Sequence, residues 1–232
     1  MMLVTLFVFG LLVGSFLNVL IDRLPFGENI LWGRSHCDHC KKPLRWYELI
    51  PVFSYIFQRG NCLRCHKPLS IQYPMVELAT ALGFLYFYPQ FIYWIIFSTL
   101  LVLFVADLKY QIIPDSMVLI GVLASAWVGG FWLAGLGSFA FLYLLWAATR
   151  GRGMGFGDVK LAFLMGLLLG YPAVIIAFYV AFLTGAMVGV ILMIRRRVGW
   201  KSKIAFGPFL VLGTIVAFVW GPYIQKWWNM II

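Results

Sequence analysis

Long apolar runs, broken by short polar turns, occupy most of the 232-residue chain. The runs are continuously apolar, whereas the strands of a membrane barrel alternate apolar and polar residues, so the pattern predicts helices. About 20 apolar residues cross a bilayer as a helix. We therefore predict an all-α polytopic membrane protein with about eight transmembrane helices, at residues 1–21, 75–88, 91–107, 117–133, 135–149, 158–170, 172–194 and 204–225.

One polar block interrupts this pattern directly after the first apolar run. It divides the chain into a first transmembrane helix (1–21), the block itself (22–73) and a seven-helix membrane domain (74–232). Residues 1–21 have no basic start and no small-residue cleavage site after them, so we expect a retained helix and not a signal peptide. Small residues recur every four positions along that helix and predict a close-packing face for another helix. They are Gly10, Gly14 and Asn18.

Composition agrees with a membrane protein, since 63% of the residues are hydrophobic and 11% are charged. Soluble domains are about half apolar. The net charge of +10 raises the question of a nucleic-acid partner, but the 18 Lys and Arg residues are clustered. Eight lie in residues 22–73, three in 150–160 and five in 195–203, where successive helices return to one face. Because positive residues mark the cytoplasmic side, we expect these segments there, both termini outside, and no nucleic-acid partner.

All four cysteines lie in the polar block, within an internal repeat. The sequence Cys37-Asp-His-Cys40-Lys-Lys-Pro-Leu is echoed by Cys62-Leu-Arg-Cys65-His-Lys-Pro-Leu. Two C-x-x-C turns can bring four thiolates around one tetrahedral Zn²⁺, as in zinc ribbons. Disulfides are the alternative, and a reducing cytoplasm disfavours them. We expect these four cysteines to be the ligands of a small zinc-ribbon-like insertion, with the three histidines of the block as bystanders.

A glycine-rich stretch, Gly151-Arg-Gly-Met-Gly-Phe-Gly-Asp158, leads into the apolar run at 158–170. That run is short for a bilayer, so we expect it to be sheltered within protein or beside water. A carboxylate is costly at such a position unless it has a partner or water. This stretch alone leaves two roles open for Asp158: a cap for the N–H groups of the helix, or chemistry. A phosphate loop is not indicated, because no G-x-x-x-x-G-K-[ST] pattern follows.

A second aspartate, Asp107, ends an apolar run at the same expected membrane depth as Asp158, and each is followed two residues later by a lysine. Two neighbouring carboxylates cannot both ionise easily, so one can act as general acid while the other activates water, as in aspartic peptidases. The structural alternative for Asp107 is an ion pair with a basic neighbour. Asp115 follows Pro114 and precedes a helix, so we expect it to be a helix cap.

Two other classes of function compete with a peptidase. A proton-coupled transporter would place charged residues near the bilayer midplane and would show inverted repeats of its helices; neither is visible. A zinc-binding membrane adaptor without catalysis would leave the aspartate pair unexplained. The residues therefore favour the chemistry of a membrane aspartic peptidase.

Six motifs follow one another along nearly the whole chain. They are Gly14-Ser-Phe-Leu-Asn-Val19 with Arg23-Leu-Pro25, the paired C-x-x-C block, Tyr73-Pro-Met-Val-Glu-Leu78, the stretch from Asp107 to Asp115, Gly155-Phe-Gly-Asp158, and Ala205-Phe-Gly-Pro-Phe209. In this order they resemble the bacterial type IV prepilin peptidases, also called leader peptidase/N-methyltransferases, which belong to the G-x-G-D class of membrane peptidases.

The resemblance implies a site and two activities. Asp107 and Asp158 match the two catalytic aspartates of that class. The implied substrate is a prepilin or pseudopilin whose short basic leader ends in glycine, cleaved at the cytoplasmic face of the bacterial inner membrane. The resemblance also implies methylation of the new N-terminal amine with S-adenosylmethionine, and it gives Glu77 no defined role.

Overall fold

The computed structural model describes residues 1–30, 32–33, 35–37, 39–151, 153–195 and 205–231, the last ten of these as backbone only. The regular secondary structure of these residues is helical, apart from two isolated β-bridges, which confirms the predicted all-α class. Short 3-10 turns occur at Leu24–Phe26 and Trp46–Leu49. The α-helices are α1 (Met2–Arg23), α2 (Phe53–Phe57), α3 (Gln72–Tyr86), α4 (Phe91–Tyr110), α5 (Asp115–Trp127), α6 (Trp132–Ala148), α7 (Phe156–Leu169), α8 (Ala173–Ile194) and α9 (Gly207–Ile231).

The first of two compact units, Met1–Val102, is built on the close pairing of α1 and α3. A Cβ atom added at Gly10 or at Gly14 would stand 2.6 Å from the Cα atom of Ala81 or of Glu77, respectively. The helices can approach this closely only because α1 has no side chain at these positions. One turn further along α1, the Asn18 amide donates to the carbonyl of Tyr73 (3.1 Å). The predicted close-packing face of α1 is confirmed.

The second unit, Leu103–Ile232, is centred on the short helix α7, which packs against α5, α6, α8 and α9. Most of its apolar side chains are buried, while Phe156 in its first turn is 39% exposed. Those with no exposed surface are Val159, Leu161, Ala162, Leu164, Met165 and Leu167. A 14-residue helix is too short to cross a bilayer alone. The prediction that this run is sheltered within protein is therefore confirmed.

Among the described residues, three helical stretches are long and apolar enough to cross a membrane: Met2–Phe26, Phe91–Tyr110 and Ala173–Ile194. Three shorter apolar helices, Asp115–Trp127, Trp132–Ala148 and Gly207–Gly221, fall below the usual span length. The chain is thus a membrane protein, and the total of eight transmembrane helices stays a prediction.

One predicted boundary is wrong. The fourth span was expected to continue to residue 133, but α5 ends at Trp127. Gly129 has φ +94°, a conformation that ends a helix and that glycine adopts at low cost. The following turn is held by the Phe131 N–H, which donates to the carbonyl of Leu167 on α7 (2.8 Å).

Candidate active site and metal centre

Asp158 lies in the first turn of α7, where the glycine-rich stretch becomes helical. The N-cap position is Gly155, and Asp158 is three residues further on. Its Oδ2 atom accepts a hydrogen bond from the Gly155 N–H (3.2 Å). The first N–H groups of a helix have no partner within the helix, so this contact explains part of the carboxylate's placement. Asp158 is nonetheless buried, with 6% of its surface exposed.

Asp107 lies one turn before the end of α4 and is 5% exposed. The backbone N–H of Gly207 interacts with the Asp107 carboxylate, although no hydrogen bond of good geometry from the described residues reaches its buried Oδ2 atom. Buried polar atoms are nearly always hydrogen-bonded, and the exceptions call for a functional or structural explanation. The ion pair that we considered as the structural alternative for Asp107 is therefore not made by this oxygen.

The two aspartates share one end of the second unit. Asp107 interacts electrostatically with Asp158, and the Ile113 side chain lies between the segments next to them. A Cβ atom added at Gly157, beside Asp158, would be 3.0 Å from Cβ and 3.3 Å from Cδ1 of Ile113. One added at Gly207 would be 3.3 Å from the same Cδ1 atom and 2.6 Å from Oδ2 of Asp107.

Sequence reasoning missed the part played by Gly207. It belongs to a motif that resembles the family, but no chemical role could be read from the motif. In the structure Gly207 is the first residue of α9 and lies directly against the Asp107 carboxylate. Any side chain there would occupy the space of that carboxylate, so Asp107 keeps its position because residue 207 is glycine.

Asp115 does not cap α5 as we expected. The N-cap is Pro114, and Asp115 is the first helical residue. Its two carboxylate oxygens accept from Nζ of Lys160 on α7, at 2.7 and 2.8 Å. Lys160 Nζ also lies 5.4 Å from the centre of the Phe156 ring. The pair joins the first turn of α5 to the first turns of α7, close in sequence to Asp158.

The four predicted cysteines form a separate centre in the first unit. Their Sγ atoms all lie within 4.8 Å of one another, and those of Cys37 and Cys65 are 3.8 Å apart. Sulfur atoms about 2.3 Å from a tetrahedral zinc ion are about 3.8 Å from one another. The cysteines are free thiols, so disulfide pairing is not the arrangement adopted. This cluster, which contains none of the three histidines, could hold a metal ion.

The internal repeat is also a repeat of structure. The Cys37 N–H donates to the Lys42 carbonyl and the Cys62 N–H to the Lys67 carbonyl, at 3.1 and 2.9 Å. An isolated β-bridge closes each turn, from His36 to Pro43 and from Asn61 to Pro68.

Backbone groups also prepare one thiol for metal binding. The N–H groups of Cys65 and Arg64 point at Cys62 and lower the pKa of its thiol to about 7. Metals bind the thiolate form, so these N–H groups favour metal binding at Cys62. Despite a contact with the Lys67 backbone, burial and the other three thiols raise the pKa of Cys65 to about 11.

Glu77 is buried in α3, although its role could not be read from the sequence. Its Oε2 atom accepts from the N–H of Val52 (2.7 Å). Val52 precedes α2 and has φ +61°, an unfavourable conformation for a β-branched residue. The carboxylate therefore holds the polar block to α3 at a strained backbone position.

Comparison with known proteins identifies the family. Residues 8–91 match the family model of the bacterial peptidase A24 N-terminal domain, and residues 94–190 match that of the type IV leader peptidase family. A prepilin leader peptidase/N-methyltransferase of Bacillus subtilis (strain 168) is 33% identical, with 96% of each chain covered. The chain belongs to the type IV leader peptidase family. Other members with the same name are those of Pectobacterium carotovorum subsp. carotovorum (34% identical, 91% of each chain) and Aeromonas hydrophila (32%, 96% of this chain and 92% of the relative). No solved structure matches the chain.

The two family regions correspond to the two centres of this leader peptidase family member. The cysteine cluster lies within residues 8–91, while Asp107 and Asp158 both lie within 94–190. Gly207 lies beyond both matched regions, although the second unit places it against Asp107.

Proposed function

We propose that this chain removes the basic leader peptide from type IV prepilins or pseudopilins, and then N-methylates the new N-terminal residue. Both activities are in the name of relatives that cover more than nine-tenths of the chain. The reaction site is the aspartate pair at one end of the second unit. The observation that carries this assignment is the buried Oδ2 atom of Asp107, which has no hydrogen bond of good geometry from the described residues, together with the electrostatic interaction between Asp107 and a second buried carboxylate, Asp158.

The proposed cleavage uses the two aspartates in complementary protonation states. One carboxylate accepts a proton from water as the water attacks the peptide carbonyl, and the other carboxyl donates a proton to the departing amine. The Gly155 N–H holds Oδ2 of Asp158, which orients that carboxylate. Gly207 leaves the space that the Asp107 carboxylate needs. Water activation and leaving-group protonation are thus supplied by Asp107 and Asp158 together.

The proposed metal is one structural Zn²⁺, bound by Cys37, Cys40, Cys62 and Cys65. The sulfur separations support it, since they fit a tetrahedral ion. A small polar block has little apolar core of its own, so the ion would contribute much of its folding free energy. Zinc bound in this way would join the two C-x-x-C turns and has no step in the cleavage.

The methyl donor proposed for N-methylation is S-adenosylmethionine. Residues 41–69 of the polar block suit its carboxylate but not its positively charged sulfonium. Six exposed cations in residues 41–69 suit its carboxylate: Lys41, Lys42, Arg45, Arg59, Arg64 and Lys67. The one carboxylate in that range, Glu48, is buried and accepts from the Arg45 N–H (2.6 Å), so it is not placed to meet the donor's sulfonium.

The proposed location is the bacterial inner membrane, with both termini outside and the cysteine block and aspartates at the cytoplasmic face. The clustering of 18 Lys and Arg residues supports this orientation. This orientation would place the aspartates at the membrane surface, between the basic leader in the cytoplasm and the apolar helix of the pilin in the bilayer.

The test is a reaction of purified, lipid-reconstituted protein with full-length prepilin and S-adenosylmethionine, followed by intact-mass measurement. We expect loss of the leader and gain of one methyl group, and loss of the leader alone when S-adenosylmethionine is omitted. A prepilin with its leader glycine replaced by a bulky residue is the matched control and should stay intact. If the natural prepilin also stays intact, the proposed function is wrong.

A further inference from the structure

Residues 46–57 of the polar block expose apolar side chains that a water-facing segment would bury. The most exposed are Trp46 (78%), Phe53 (58%), Ile56 (64%) and Phe57 (84%). Phe53, Ile56 and Phe57 are spaced i, i+3 and i+4 along α2, so they share one face of the helix. Leu49 and Ile50 are also exposed and lie in the turn just before α2. A contiguous apolar surface of this kind marks an interaction site.

This segment is held alongside the helices of the first unit. The Val52 N–H, one residue before α2, donates to the buried Glu77 carboxylate. Glu77 follows Gln72, the first residue of α3, by about 7.5 Å along the helix axis at 1.5 Å per residue. At the same level, α3 packs against Gly14 of α1, a helix long and apolar enough to cross a membrane. Interfacial helices lie about 5–10 Å into the boundary between headgroups and acyl chains. We expect α3 to enter the bilayer close to its first residue, and on that expectation the start of α2 lies at a corresponding depth.

The charges around the segment indicate the chemistry of its neighbour. Residues 41–69 carry the six exposed cations named above, whereas their one carboxylate is buried and bonded to the backbone. Such a surface attracts anionic headgroups. It would repel the basic leader of the substrate in the proposed function. The combination of apolar side chains and cations therefore fits a phospholipid surface better than it fits the prepilin leader.

We propose that residues 46–57 are an interfacial membrane anchor. The side chains of Trp46, Phe53, Ile56 and Phe57 insert between headgroups and acyl chains of the leaflet on the side of the cysteine block. The surrounding cations bind anionic phospholipid. Both ends of the block are already joined to α1 and α3, and this anchor holds its middle on the bilayer as well.

The test places the photoreactive residue p-benzoylphenylalanine at position 57 of the full chain, reconstituted in vesicles of phosphatidylethanolamine and phosphatidylglycerol. Position 63 is the matched control, because Leu63 is an exposed apolar residue of the same block (49%) outside the segment. After illumination we expect phospholipid adducts at position 57, at least tenfold more than at position 63. Phosphatidylglycerol should be enriched among these adducts relative to its share of the vesicle.

Equal amounts of lipid adduct at positions 57 and 63 would overturn the anchor. Crosslinking of position 57 to added prepilin, or to another part of this chain, in place of lipid would also overturn it. Adducts without enrichment of phosphatidylglycerol would overturn the role given to the cations. Bound zinc is measured in each variant as a check on folding. If the position-57 variant loses zinc, the same label at Phe53 decides the question. Prepilin cleavage is scored separately, so failure of the anchor leaves the proposed function testable.

Discussion

Replacing Gly207 by alanine tests whether the position of Asp107 depends on the absence of a side chain. The new Cβ atom would lie 2.6 Å from Oδ2 and 3.1 Å from Cγ of Asp107, and 3.3 Å from Cδ1 of Ile113. Heavy atoms in contact are normally about 3.5 Å apart, so roughly 0.9 Å of overlap with the carboxylate has to be relieved. Asp107 is 5% exposed and has little free space into which to move.

The expected effect is larger on activity than on stability. Overpacking of this kind costs about 1–3 kcal/mol of folding free energy. A displacement of about 1 Å in a reacting group can lower the rate by about 100-fold. We therefore expect Gly207→Ala to fold and insert, and to cleave prepilin roughly 100-fold more slowly than the unmodified chain.

Two other glycine substitutions separate the effect on the site from effects on packing. Gly137→Ala in α6 has no neighbour within 4 Å of the added Cβ and should leave both activity and stability unchanged or slightly improved. Gly213→Ala in α9 collides with the Ala177 carbonyl and should lower the thermal midpoint without contacting Asp107. The assay compares initial rates of prepilin cleavage with thermal midpoints in the same detergent. Full activity of Gly207→Ala would refute the argument.

Three further changes test separate parts of the structure. Replacing Cys37 and Cys40 by serine removes half of the thiolate cluster. We expect loss of about one zinc ion per chain by elemental analysis, and a larger loss of methylation than of cleavage, because the aspartates belong to the other unit. Asp115→Asn should reduce unfolding free energy by less than about 1 kcal/mol and change the cleavage rate little, because its ion pair with Lys160 is largely exposed. Glu77→Leu should cost about 1–3 kcal/mol, measured by denaturant unfolding, because it leaves a backbone N–H without its acceptor; Glu77→Gln retains an acceptor and should cost less.

Each of these three predictions can be contradicted by a specific result. Zinc retained by the double serine variant would contradict the assigned ligands. Methylation that survives while cleavage is lost would place the donor outside the cysteine block. A large loss of cleavage in Asp115→Asn would give that carboxylate a part in the reaction. Equal stability of Glu77→Leu and the unmodified chain would remove the role assigned to the buried carboxylate.

The features predicted correctly are those that local patterns determine. The spacing of Gly10 and Gly14 places both on one face of α1, and close packing against α3 follows directly. Each C-x-x-C turn is followed, one residue later, by Lys-Pro-Leu, and the backbone of each turn adopts the same hydrogen bonds. Asp107 and Asp158 could be singled out because each is a carboxylate at the end of an apolar run, and their joint role in catalysis stays a prediction.

The features missed depend on contacts between segments that are distant in sequence. Gly207 contacts Asp107 through the packing of the second unit, and a glycine in a short motif does not reveal its partner. Asp115 was expected to be a cap because an acidic residue before a helix serves that purpose, but Lys160 on α7 offers a stronger partner at the same place. The exposed apolar face of α2 was not predicted, because residues 22–73 are polar on average and α2 is only five residues long.

The central claim is that two carboxylates carry out the cleavage, and the single variants Asp107→Asn and Asp158→Asn test it most directly. Each keeps the size of the side chain but cannot serve as acid or base, a role worth about 100- to 10,000-fold in rate. Cleavage of full-length prepilin is followed by intact mass, with membrane insertion and thermal midpoint measured on the same samples. We predict that both variants insert normally and that each loses cleavage by at least about 100-fold. Substantial turnover by either variant would contradict the two-aspartate mechanism.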